Sequence, residues 1–159
     1  MTFYTDGSCI GNGKANATGG YGVVGVDETT DKVVFVRAKR SNDTTNNREE
    51  LKAILYVMLN YGEKNDEWCQ PPIVYSDSAY CVNTFNDWMF RWAALGWKKS
   101  DKQTPENLDL IQAYYQWYMQ GYRIDLRKIK GHAGNDWNEL ADQLATGYIS
   151  EEEAYATYG

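Results

Sequence analysis

The sequence predicts a single α/β domain: a mixed five-stranded sheet, three strands antiparallel and two parallel, flanked by helices. Three observations lead there. The chain opens with three apolar runs joined by short links, the pattern of an antiparallel meander. After residue 46 the apolar period lengthens from two to that of a helix. Strand-like and helix-like runs then alternate, as crossovers between parallel strands require. At 159 residues the chain suits one hydrophobic core, and no repeat, low-complexity tract or linker divides it.

Residues 1–8 and 20–27 read as strands, separated by a turn-rich loop that begins Gly11-Asn12-Gly13-Lys14. Residues 32–40 form the third, through Val33, Val34, Phe35 and Val36. Over 47–61 Leu51, Ile54, Leu55, Met58 and Leu59 share one helical face, with Asn46 or Asn47 placed to cap the start. Pro71-Pro72 precede a short strand, Ile73-Val74-Tyr75, that ends at Ser76-Asp77. Helices are expected over 78–86, over 88–95 up to Gly96, and over 106–120. A last strand over 122–129 and a closing helix over 136–148, burying Trp137, Leu140, Ala141, Leu144 and Tyr148, complete the order.

No apolar run reaches the length that crosses a bilayer, and the first residues lack the layout of a signal peptide, so a cytoplasmic protein is expected. Cys9, Cys69 and Cys81 show no metal-ligand repeat and read as reduced thiols. A net charge of −6 taken alone argues against a polyanionic partner. The charge is unevenly placed, however. Arg91, Lys98, Lys99 and Lys102 face one acid in their segment, Asp101, and Arg123, Arg127, Lys128 and Lys130 likewise face only Asp125. Glu151-Glu152-Glu153 concentrate acid elsewhere. Two basic segments leave room for a nucleic acid.

Asp6 lies near the end of the first strand and Asp77 closes the fourth, where an acid can enter a site at the sheet edge; taken alone, each reads more readily as a turn or helix-capping residue. Helix phase separates the neighbouring acids. Glu50 falls on the flank of the apolar stripe and Glu49 is expected to face solvent. The Asn47–Glu50 spacing also fits a capping box. Asp142 points away from the apolar face of its helix, as an ordinary surface acid would, one turn from Asn138. His132, between glycines in Gly131-His132-Ala133-Gly134, fits a structural role or a mobile proton shuttle. Carboxylates converging from several elements suit hard divalent cations, and a metal pair suits phosphoryl transfer.

The segments Tyr4-Thr5-Asp6-Gly7-Ser8-Cys9, Thr45-Asn46-Asn47-Arg48 with Glu50, Ser76-Asp77-Ser78, Gly96-Trp97-Lys98, and Lys130-Gly131-His132-Ala133-Gly134 with Asn138 and Asp142 resemble, in order and spacing, the type 1 ribonuclease H family. The resemblance covers residues 1–148 as a ribonuclease H domain, with 149–159 as a short acidic C-terminal tail. It implies a ribonuclease H-like fold and an endonuclease that hydrolyses the RNA strand of RNA–DNA hybrids, leaving 3′-hydroxyl and 5′-phosphate ends. It implies Mg²⁺, with Mn²⁺ as the alternative, and two ions once substrate is bound, held by Asp6, Glu50, Asp77 and Asp142. His132 would join these four as the catalytic group that assists product release or proton transfer. Asn12, Asn46 and Asn47 would meet the RNA backbone and 2′-hydroxyls, and Thr45 a DNA phosphate. Trp88, Trp92 and Trp97 match the frame of the family's basic handle on the DNA strand, Trp92 also reading as core; Lys98, Lys99 and Asn138 join the substrate-binding set. The expected partner is the hybrid, bound by a monomer away from any membrane.

Several residues depart from the family pattern. Ala93-Ala94-Leu95 replace the handle's basic run, which predicts weaker and less salt-dependent hybrid binding. Ala79 stands where a glutamine often touches nucleic acid, and the 14–18 loop differs in composition. Glu49 replaces a usually apolar residue, harmlessly if it faces solvent. Two other readings compete: a DNA-cutting relative such as a resolvase or integrase core, and a hybrid-binding module without metals. The Gly-His-Ala-Gly loop and tryptophan handle disfavour the first, and the four-acid set disfavours the second.

Overall fold

The computed structural model describes residues 1–11, 15–64, 70–130 and 136–159. Strands β1 (Thr2–Ile10), β2 (Thr18–Asp27) and β3 (Lys32–Asn42) form the expected meander. Helix α1 (Asn46–Tyr61) crosses to β5 (Ile73–Ser76), and later helices lead to β7 (Asp125–Lys128). The five-stranded sheet runs β3-β2-β1-β5-β7, with β1 and β5, and β5 and β7, parallel. A separate ribbon pairs β4 (Glu63–Lys64) with β6 (Tyr122–Arg123). The strand expected over 122–129 is therefore two short strands that break at Ile124 and serve different sheets.

Side chains alternate along each strand, so the sheet carries a core on each face. One gathers Phe3, Val23 and Val74 against Leu51, Ile54 and Met58 of α1 and Ile111 of α4 (Leu108–Met119). The other joins Val24, Val26 and Val36 to Leu140, Ala141 and Leu144 of α5 (Asp136–Thr146). Residues 79–94 run as one helical path where two helices were expected: α2 (Ala79–Asn83), a π-helical turn over Thr84–Trp88, and α3 (Met89–Ala94). The wide turn keeps Cys81, Phe85 and Met89 all buried, at a position where an ideal α-helix would drift out of phase.

Three expectations need correction. Thr45, not Asn46 or Asn47, caps α1, its hydroxyl accepting from Arg48 N at 3.1 Å, which also removes the Asn47–Glu50 capping box. The buried face of α1 includes Ala53 and Val57, while Leu59 is 41% exposed. The helix is covered by the sheet and by α4, so its buried arc reaches roughly two thirds of the circumference at about 100° per residue. The closing helix stops at Thr146; Gly147 turns at φ +79°, and Tyr148 is 80% exposed rather than buried.

The acidic segment expected as a tail holds a further helix, α6 (Glu151–Tyr158). Ser150 caps it by accepting from Glu153 N at 3.1 Å and donating its hydroxyl to the Glu153 carboxylate at 3.2 Å. Strand β3 lies at an edge of the sheet, where its outward backbone N–H groups need partners. Two find them on α6. Val36 N donates to the Tyr155 hydroxyl at 2.9 Å, and Ala38 N donates to Glu151 Oε1 at 2.8 Å. Ala154 packs fully buried beneath them.

Candidate active site

Asp6 sits on β1 opposite Gly22 of β2, and the parallel register that pairs Thr5 with Ser76 carries Asp77 to the neighbouring strand end. Two glycines then admit the helices. A Cβ on Gly7 would lie 2.3 Å from Glu50 N, so the first turn of α1 rests directly on the strand. A Cβ on Gly22 would lie 2.3 Å from the Ala141 carbonyl, so α5 rests as closely on the other face. Glu50 thereby reaches Asp6 past Gly7, and Asp142 reaches Asp6 over Gly22. Neither glycine stands out in the sequence as part of a site. Their signal was the two-residue apolar alternation, interrupted at positions that flank or face an acid.

Carboxylate oxygens of Asp6, Glu50 and Asp77 lie within 4.8 Å of one another. Asp6 shares hydrogen bonds with both Asp142 and Glu50. Asp142 is thus drawn into the cluster, half-buried, and is no ordinary surface acid. Burial is the first cause that pushes the Asp6 carboxyl up, to about 11, followed by repulsion from Glu50. Burial likewise raises Glu50, to about 8, with Asp77 and Asp142 adding repulsion. Glu50 Oε2 is buried with no hydrogen-bond partner among the described residues. Crowded, desolvated carboxylates with an unanswered oxygen call for positive charge. An all-oxygen donor set fits a hard divalent cation.

Glu49 corrects the sequence reading. It is fully buried where solvent exposure was expected. Its Oε2 accepts from Thr44 Oγ1 at 2.7 Å and pairs with Lys52 Nζ at 2.8 Å. The 42–45 segment folds back over the helix start and covers that flank. Helix phase alone does not register this cover.

Thr45, Asn46 and Asn47 are exposed around the start of α1. Arg48 leaves the same turn and grips Asp109 of α4 through two hydrogen bonds of 3.0 and 2.7 Å, a tie the sequence reading did not assign. Asn138 is buried on α5, one turn before Asp142. Trp88 and Trp92 stand 6.1 Å apart beside a hollow of about 380 Å³ that Arg91, Leu95 and Lys99 also line. Trp97 takes a left-handed φ of +64° and meets Tyr115 edge-on at 5.1 Å. Lys98 is exposed and donates to Thr104 at 2.9 Å. In the second basic segment Arg123 donates to two backbone carbonyls and Arg127 pairs with Asp125, so these arginines serve the fold. Asn12 and His132 lie outside the described residues.

The sheet order and the cluster define an α/β protein with a carboxylate site suited to divalent metal. The RNase H family model matches residues 1–150. A Ribonuclease H of Chlorobaculum parvum is 38% identical over 154 residues, covering 96% of this chain and 97% of the relative. LC9-RNase H1, described as a type 1 RNase H with the type 2 active-site motif, superposes with a TM-score of 0.68 at 29% identity, over 96% of this chain and 74% of that one. The foamy viral protease-reverse transcriptase solved in complex with RNA/DNA hybrid gives a TM-score of 0.77 at 19% identity over 91% of this chain, a likeness of fold. This chain spans only 19% of that viral one. The chain belongs to the RNase H family.

Proposed function

We propose that the protein hydrolyses the RNA strand of RNA–DNA hybrids, leaving 3′-hydroxyl and 5′-phosphate ends, with Asp6, Glu50, Asp77 and Asp142 as metal ligands. The observation that carries the reading is the cluster itself, with carboxylate oxygens from three separate elements within 4.8 Å. Mg²⁺ is the ion we assign, two of them in the presence of substrate. Bound there, the metal would supply a hydroxide nucleophile at neutral pH and stabilise the leaving oxygen. The chain's own part is to hold four carboxylates ready before substrate arrives. Asp6, touching both Glu50 and Asp142, is central to that set.

Thr45, Asn46 and Asn47 would receive the hybrid at the start of α1, where the positive end of the helix dipole favours phosphate and side-chain amides suit a 2′-hydroxyl. Asn12, Trp88, Lys98 and Lys99 complete the substrate-binding set, with Asn138 buried on α5. His132, between β7 and α5 in the sequence, would assist product release or proton transfer. Residues 1–148 form the catalytic domain, residues 149–159 are an appended segment, and the protein acts as a cytoplasmic monomer. Among the described residues no helix is long and apolar enough to cross a membrane.

The test is incubation with end-labelled RNA–DNA hybrid, double-stranded RNA and double-stranded DNA, each with Mg²⁺ or a chelator. Loss of the RNA strand only in the hybrid and only with metal is expected. Cleavage of duplex DNA would reject the reading.

A further inference from the structure

Glu49 presents a problem that packing does not answer. A carboxylate with no exposed surface has lost its hydration, and an apolar side chain of similar length would fill the same space without that loss. Its Oε1 finds no hydrogen-bond partner among the described residues, so the site is not fully compensated. What the carboxylate does provide is direction. Oε2 accepts from Thr44 at 2.7 Å and from Lys52 at 2.8 Å, and Lys52 also reaches Ser41 Oγ at 3.0 Å. Glu49 thus joins the first turn of α1 to the end of β3 and to the residue that precedes the helix cap.

The segment it holds is the one the hybrid would meet. Asp43 turns at φ +50° and donates its N–H to the Ala17 carbonyl at 2.7 Å. Thr44 follows, buried, its carbonyl 3.4 Å from Cys9 Sγ. Thr45 then caps the helix, and Asn46 and Asn47 project from it. Among these ties the Thr44–Glu49 bond is charge-assisted and therefore the stiffest. Lys52 neutralises the carboxylate, so the helix start stays receptive to phosphate.

We propose that Glu49 is a positioning residue for substrate: through Thr44 it fixes the Thr44–Asn47 segment in the pose that accepts the hybrid backbone. The proposal rests on the hybrid-hydrolysing reading above, and its effect falls on substrate affinity. Glu50, one residue on, keeps its own place against Gly7 and Asp6.

Steady-state cleavage of an RNA–DNA hybrid with Mg²⁺, alongside melting curves, compares wild type, Glu49→Met, Glu49→Gln, Thr44→Val and the double variant Glu49→Met/Thr44→Val. Loss of a charge-assisted hydrogen bond is expected to raise KM about five- to tenfold in Glu49→Met and Thr44→Val, with kcat within about twofold. The double variant should match the single ones, because both remove the same bond. Glu49→Gln keeps an acceptor for Thr44 but loses the charge, and should raise KM by less than Glu49→Met does. Unchanged KM in Glu49→Met and Thr44→Val, whatever their melting temperatures, would overturn the proposal. So would a fall in kcat at constant KM, or additive effects in the double variant. If Glu49→Met does not fold, Thr44→Val decides by the same criteria. Wild-type cleavage of the hybrid in the same assay tests the underlying reading separately.

Discussion

At the residue scale, the carboxylates trade stability for readiness. Burial and mutual repulsion raise the Asp6 and Glu50 carboxyls well above the usual carboxyl range, so the folded, metal-free protein keeps protons there that free carboxyls release near pH 4. The folded state therefore binds more protons than the unfolded state above about pH 4, so this contribution to stability is full below that pH and declines as pH rises. In chelator, the melting temperature difference between Asp77→Asn and wild type should grow in favour of the variant between pH 5 and 8, since the variant removes one repelling charge. Added Mg²⁺ should stabilise wild type more than the variant. A variant that melts lower than wild type throughout would contradict the repulsion. Gly22 sets a different limit. Gly22→Ala places a methyl group against the Ala141 carbonyl, which should cost about 1–3 kcal/mol by overpacking. Because Asp142 rides on the same helix, hybrid cleavage should fall as well. Full activity with wild-type melting would show that α5 does not need that close approach.

The elements were unevenly legible in the sequence. The meander and the crossover through α1 followed from period and link length, and Asp6 and Asp77 from their places at strand ends. Glu49 was misread because phase describes a helix in isolation, while a loop from β3 buries it. Asp142 looked exposed because the sequence does not say how closely α5 approaches a glycine strand. The π-helical turn was hidden for a related reason: an inserted residue shifts the period and reads as a gap between two helices. At the handle, the tryptophans line a hollow rimmed by Arg91 and Lys99, while Ala93-Ala94-Leu95 contribute no charge. Ala93→Lys/Ala94→Lys should tighten hybrid binding and steepen the slope of log K against log salt, by about 0.9 for each new phosphate contact. An unchanged slope would mean that the DNA strand passes elsewhere.

At the scale of the whole molecule, α6 protects the sheet. Ser150 and Glu153 stand three apart just before an alanine that becomes buried, a capping-box signal legible in the sequence but overlooked behind its acidity. Truncation after Ser150 removes two hydrogen bonds to β3 and opens its edge. The melting temperature should drop by roughly 5 °C for a loss of about 2 kcal/mol, and a concentration-dependent dimer should appear by light scattering. A truncated protein that stays monomeric and equally stable would remove this role for α6. The fold as a whole serves one purpose in this account, which is to bring carboxylates from β1, α1, β5 and α5 to a point beside the start of α1. Hybrid cleavage by wild type and Asp77→Asn, run side by side with Mg²⁺ and with chelator, measures that most directly. RNA-strand cleavage by wild type with Mg²⁺ alone, and hybrid binding without cleavage by Asp77→Asn, are expected. Cleavage that survives either the chelator or the substitution would contradict this.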